Sequence, residues 1–148
     1  MIDWIDEAFR GPAWHGPALM TATRGVSDRL AVWRPARGRH NIAEEVLHAA
    51  YWKHIVRQRL GGMRERFPLN GRNWFARNDP AEWRDDLRVL VEAHEALRQV
   101  VAGLGPRSLG RVVHAGQTAE DNVRGIAMHD VYHAGQIQLL KKMAGQRS

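Results

Sequence analysis

The sequence predicts an all-α protein, a bundle of four helices. Three observations lead there. Glycine and proline gather between four long stretches in which apolar residues recur every three or four positions. No stretch alternates as a half-buried strand would. Each helical stretch holds roughly 20 residues and would span roughly 30 Å, a natural length for helices packed side by side.

After a short acidic lead-in, Gly11-Pro12 opens the first stretch, Ala13 to about Val32, and Arg34-Pro35 closes it. Its apolar positions are only moderately periodic. The second begins at Asn41, a capping residue with Glu44 three positions on, and ends at Gly61-Gly62. Ile42, Val46, Ala49, Trp52, Val56 and Leu60 form its stripe. Asp79-Pro80-Ala81-Glu82 starts the third with a capping residue, a proline at the first helical position and a glutamate at the third. Its stripe, from Trp83 through Leu90, His94 and Leu97 to Val101, carries it to about Gly103. The fourth starts near Thr118, with Asp121 in capping-box position, and runs through Val123, Ile126, His129, His133, Ile137 and Leu140 to about Met143. The connection from Gly61 to Asn78 is longer than most bundle loops, and its Phe67, Trp74 and Phe75 predict a segment packed across the helices. The link from Gly105 to Gln117 is similarly long.

A chain of 148 residues predicts one domain, 1–148, able to bury its own core. It has no cysteine, which excludes disulfides, thiolate metal sites and a cysteine nucleophile, and a cytoplasmic setting fits best. The amino terminus carries acid where a signal peptide needs base, and no run approaches the roughly 20 apolar residues of a membrane span. The formal charge of +6 would ordinarily point to a polyanion. Here 19 of the 22 basic residues are arginines scattered among acids along the whole chain, so nucleic-acid binding is the minority reading.

His129 and His133 stand one helical turn apart on the apolar side of Gly125-Ile-Ala-Met-His-Asp-Val-Tyr-His-Ala-Gly-Gln-Ile137. At roughly 100° per residue, positions four apart project within about 40° of each other, so two such imidazoles can close on one ion. His48 on the second helix supplies a third ring. Three neutral imidazoles plus solvent make an open divalent-metal site. The competing reading is a pair of hydrogen-bonded core histidines; a cation, however, satisfies several buried rings at once.

These stretches resemble the DinB/YfiT-like superfamily of four-helix-bundle proteins. Trp33-Arg-Pro35 followed by Asn41-Ile-Ala-Glu-Glu-Val-Leu-His-Ala-Ala-Tyr-Trp52 is similar to the family's second helix with its single histidine. Thr118 to Asn122, leading into Gly125 to Ile137, is similar to its fourth helix with paired histidines and a Gly-Gln-Ile tail. Trp14-His-Gly-Pro-Ala-Leu19 resembles part of the first helix. The resemblance implies up-down-down-up connectivity, which would require the long crossover between helices two and three. It implies a divalent metal, zinc, nickel or iron, on His48, His129 and His133. It also implies a dimer, and for some members transferase or isomerase activity with a low-molecular-weight thiol.

The expected activity is therefore thiol transfer to a small electrophilic molecule, with metal-dependent hydrolysis second. A catalytically silent bundle acting as a metal-binding or stress-response module is the alternative from another class. Because the chain has no cysteine, any reacting sulfur must come from a cosubstrate. His15, near the first stretch's start, is a candidate proton carrier for the cavity. Glu45, one turn before His48, is a candidate to orient that ring, and Gln136, one turn beyond His133, a candidate to hydrogen-bond a ligand. Asp130 makes the string superficially zincin-like but is not assigned as a base. His94 reads as a hydrogen-bonded core histidine. Six tryptophans are more than one small core hides, which predicts a homodimer interface.

Overall fold

The computed structural model describes residues 1–145 and is mostly helical. The elements run α1 (Ile2–Arg10), α2 (Leu19–Ala22), α3 (Asp28–Ala31), α4 (Ile42–Gly61), α5 (Trp83–Ala102), α6 (Pro106–Leu109), β1 (Val112–His114), β2 (Gln117–Thr118) and α7 (Ala119–Gly145). Long helices α4 and α7 pack together, α5 lies on α4, and α1 touches both α7 and α5. No helix among the described residues is long and apolar enough to cross a membrane.

Three of the expected helices form for the reasons their sequences suggest. Asn41 accepts from the Glu44 backbone N–H at 2.9 Å while the Glu44 side chain reaches back to the Asn41 N–H, a reciprocal capping box. Gly62 then ends α4 in the left-handed conformation, φ 66°. Asp79 accepts from Ala81 N–H and leads a single 3-10 turn, Pro80–Glu82, into α5. Thr118 and Asp121 cap α7 reciprocally, each side chain bonding the other's backbone N–H.

The first stretch differs from expectation. The acidic lead-in is itself the helix α1, with Ile5, Ala8 and Phe9 buried along one side. Ala13 to Val32 carries only the one-turn helices α2 and α3. Proline at position 17 removes an N–H and disfavours helical backbone at Gly16, which sits at φ 118°; Gly25, at φ 74°, breaks the run again. A small antiparallel hairpin, β1 with β2, also interrupts the link before α7. Its turn, Ala115-Gly116, has positive φ at both residues, 45° and 79°, the backbone twist that a two-residue hairpin needs.

The apolar core falls into two clusters. One joins Phe9, Leu19, Ile42 to Ala50, Leu90, and Ala134 to Leu140; the other joins Ile5, Val56, Leu60, Leu97, Val101, and Val123 to Ala127. A polar layer lies between them in every long helix: Lys53 on α4, His94 on α5 and Asp130 on α7, each fully buried. Phe67 and Phe75 bring the 62–78 segment into the first cluster, as their positions predict. That segment also carries Asn73 and Trp74 to the side of α4 that bears His48.

Candidate metal centre

Helix α4 presents His48 to His129 and His133 of α7, and the three rings meet through their Nε2 atoms. His129 Nε2 is 3.2 Å from His48 Nε2 and 3.1 Å from His133 Nε2. His48 and His133 are buried and His129 half-buried. Two of the rings are oriented through their other nitrogen. His48 Nδ1–H donates to the Asn73 carbonyl at 2.9 Å, and His133 Nδ1–H donates to Glu45 Oε2 at 2.5 Å. Both Nε2 atoms are therefore left with inward lone pairs.

The arrangement has too few protons to satisfy itself. A proton on His129 Nε2 can serve the two facing lone pairs only by sharing, and it leaves His129 Nδ1 a lone pair as well. That Nδ1 is buried and has no partner among the described residues. A cation at the centre satisfies the three inward Nε2 lone pairs together, with the His129 proton then on Nδ1, which stays without a partner among the described residues. The spacing suits one: four ligands at about 2.05 Å in tetrahedral array lie about 3.3 Å apart. Thus the donor set fits a divalent metal, and the three histidines lie close enough together to hold one.

Their protonation suits it too. Burial pushes His48 down to about 4 against the opposing pull of the Asn73 carbonyl. Burial, then the neighbouring His133 and His48, pushes His129 down to about 3. Both rings are neutral donors at neutral pH.

Aromatic walls close the cluster. Trp74 is sandwiched between His48, 3.9 Å away centroid to centroid, and His40, 3.6 Å away on its other face. Asn73 reaches its site in the left-handed conformation, φ 65°, and its side-chain oxygen accepts from Trp52 Nε1 at 2.9 Å. Asparagine tolerates that conformation better than other side chains do, apart from glycine.

Around this cluster the other candidates separate. Glu45 is adjacent, but it orients His133 across the helix interface and not its own neighbour His48, whose Nδ1 the Asn73 carbonyl already occupies. Gln136 lines a cavity of about 440 Å³ with Glu45, His40, Trp74 and Tyr132. His15 is not brought to the cluster: it is exposed in the loop after α1 and lines a separate cavity with Trp4 and Met128. Asp130 is not part of the three-histidine cluster and receives a hydrogen bond from Lys53. His94 is a core histidine, stacked on Phe9 at 3.7 Å with Nδ1 3.5 Å from Lys53 Nζ. Sequence reasoning missed Asn73, Trp74 and Lys53 as parts of this region. Only Trp74 had a signal, as an aromatic in an over-long connection.

No curated protein and no solved structure matches the chain. A family model, that of the DinB superfamily, matches residues 14–137, a span that takes in α4 with His48 and α7 through both of its histidines. Its extent covers most of the sequence, and on it the chain belongs to the DinB superfamily.

Proposed function

We propose that His48, His129 and His133 hold a divalent cation, zinc, nickel or iron, and that the protein uses it to transfer a small thiol to an electrophilic small molecule. One observation carries this: three Nε2 atoms converge with no fourth His, Cys, Asp or Glu in the cluster among the described residues. Structural sites are closed by four protein ligands, whereas three leave a position for an exchangeable one. When bound, the cation supplies Lewis acidity and lowers the pKa of the ligand that completes its coordination. The reacting sulfur comes from outside because the chain has no cysteine.

The chain's own residues then have separable tasks. Glu45 and the Asn73 carbonyl fix the rings of His133 and His48 through their Nδ1 protons. Trp74, packed over His48, keeps bulk water from that side. Tyr132 and Gln136, on the cavity wall beside Glu45, offer polar atoms for orienting a substrate.

The same reading takes the chain as one four-helix domain in up-down-down-up order. In support, α4 and α5 enter the first apolar cluster by their amino-terminal halves, and α1 and α7 by their carboxy-terminal ones. It also takes the protein to be a cytoplasmic homodimer. Met128, Tyr132, Leu139 and Met143 leave an apolar stripe exposed along α7, and Trp14 is 97 % exposed.

Elemental analysis of protein purified without chelator tests the centre, with about one equivalent expected in the wild type and a loss of it in His133→Ala. Metal-loaded protein should accelerate conjugation of a small thiol with an electrophile, and His129→Ala should abolish this while the helical circular dichroism persists. Hydrolysis of an ester or amide without thiol would move the assignment to a hydrolase. Absence of metal from the wild type, after offering zinc, nickel and iron, would leave a binding module.

A further inference from the structure

The cluster opens on a second, smaller cavity of about 150 Å³, the one that His129 itself lines. Trp52, Arg59, Asn122 and Gly125 are among its other walls. Arg59 is half-buried there, with its guanidinium 5.7 Å from the centroid of the Trp52 ring it covers, and Nη1 donates to Asn122 Oδ1 at 3.3 Å. The same Trp52 ring lies 6.4 Å from the His129 ring, so one indole touches both groups.

Arg59 differs from the other partly buried arginines among the described residues, which are all paired with carboxylates. Arg34, Arg77 and Lys53 each hold a carboxylate, Glu44, Asp86 and Asp130 respectively. Arg59 makes no ion pair among the described residues; its only hydrogen bond is to a neutral amide. The one acid on the cavity wall, Asp121, has its oxygens turned to Thr118 and Arg124. Burial lowers the pKa of Arg59, the sign of a charge whose hydration is incompletely replaced. A planar guanidinium with free N–H groups facing a small cavity is suited to a carboxylate or a similar oxyanion.

We propose that Arg59 is a specificity-determining residue that binds the anionic group of a small substrate in the cavity beside His129. This rests on the metal reading above for its catalytic meaning, though not for the binding itself. The substrate class it names is a carboxylate-bearing small molecule, either the thiol or its electrophilic partner. At about 150 Å³ the cavity admits only a few heavy atoms beyond the carboxylate. The larger cavity at Glu45 is less suited to this group, since its Arg39 is exposed and its His40 is committed to Glu44 and Trp74.

Calorimetric titration of zinc-loaded protein with 2-mercaptoacetate and 2-mercaptoacetamide tests the assignment, because the two thiols differ chiefly in charge. The wild type should prefer the carboxylate by about tenfold or more. Arg59→Gln should lose that preference while keeping its affinity for the amide and its thermal midpoint, and Arg59→Lys should keep part of it. Equal binding of the two probes by the wild type, or a preference surviving in Arg59→Gln, overturns the proposal. The metal reading fails separately. Acetate that shifts the Arg59 Nε–Hε resonance in a protein unable to take up zinc upholds the anion site and removes the metal. Zinc uptake without carboxylate preference removes the anion site alone.

Discussion

Replacing Lys53 by methionine tests how the polar layer is built into the core. The Lys53 and Asp130 side chains are both fully buried and bonded to each other, and Lys53 Nζ also lies 4.8 Å from the centroid of the Phe9 ring. Burial pushes the ammonium down and the carboxyl up, so only mutual contact keeps the pair tolerable. Removing one partner leaves a buried, uncompensated group at a cost of about 3–5 kcal/mol. For a chain of this size that corresponds to a fall of roughly 6–20 °C in the thermal midpoint. The double variant Lys53→Met/Asp130→Leu removes both charges and keeps most of the volume, so it should recover to within about 2 kcal/mol of the wild type. Urea unfolding of the four proteins, followed by circular dichroism in the presence of chelator so that metal does not contribute, gives the coupling directly. Single variants costing less than about 1 kcal/mol, or a double variant at the sum of its singles, would refute the reasoning.

Two further outcomes follow from the site. Glu45→Gln should weaken zinc affinity by about 10–100-fold, measured by competition with a chromophoric chelator, because it removes the carboxylate that orients His133; unchanged affinity would exclude that role. Metal-free protein should lose stability as pH falls from about 6.5 towards 4. Burial gives His48, half-buried His129 and His94 folded-state values of about 4, 3 and 2, so in this window the unfolded chain takes up their protons first. Asp86, raised to about 6 by burial against the pull of Arg77, runs the other way and offsets one of them. A net uptake of about two protons gives roughly 3 kcal/mol per pH unit, visible as a steep fall of the urea midpoint; a flat profile between pH 6 and 5 would refute it.

What the sequence made legible was local. Helices α4, α5 and α7 carry their own signals, in Asn41 with Glu44, Asp79 with Pro80, and Thr118 with Asp121, each closed by bonds within a few residues. The first helix was misplaced because Ala13 to Val32 has enough apolar residues to suggest periodicity, while the short α1 is too brief to establish it. Gly16-Pro17 was the decisive local signal, and it outweighs composition because proline restricts the residue before it. The hairpin before α7 was invisible to periodicity, having a paired segment of only a few residues; its turn at Ala115-Gly116 was the one available cue.

The candidate site divides along the same line. His129 and His133 share a helix face by arithmetic, and His48 could be added as the one histidine on the opposite helix in a matching motif. Which nitrogens turn inward depended on contacts that no local window contains. Asn73 is 25 residues from His48, and Glu45 is 88 from His133. Helical proximity assigned Glu45 to His48, whereas tertiary competition reassigned it: once the loop carbonyl holds His48 Nδ1, the carboxylate's accessible donor is the ring across the interface. The 62–78 segment thus does more than connect α4 to α5. It sets one imidazole's tautomer through Asn73, stacks on that imidazole through Trp74, and anchors both residues by burying Phe67 and Phe75 in the core. The three histidines lie close enough together to hold a metal; the loop between α4 and α5 turns the His48 lone pair inward, and Glu45 of α4 does the same for His133.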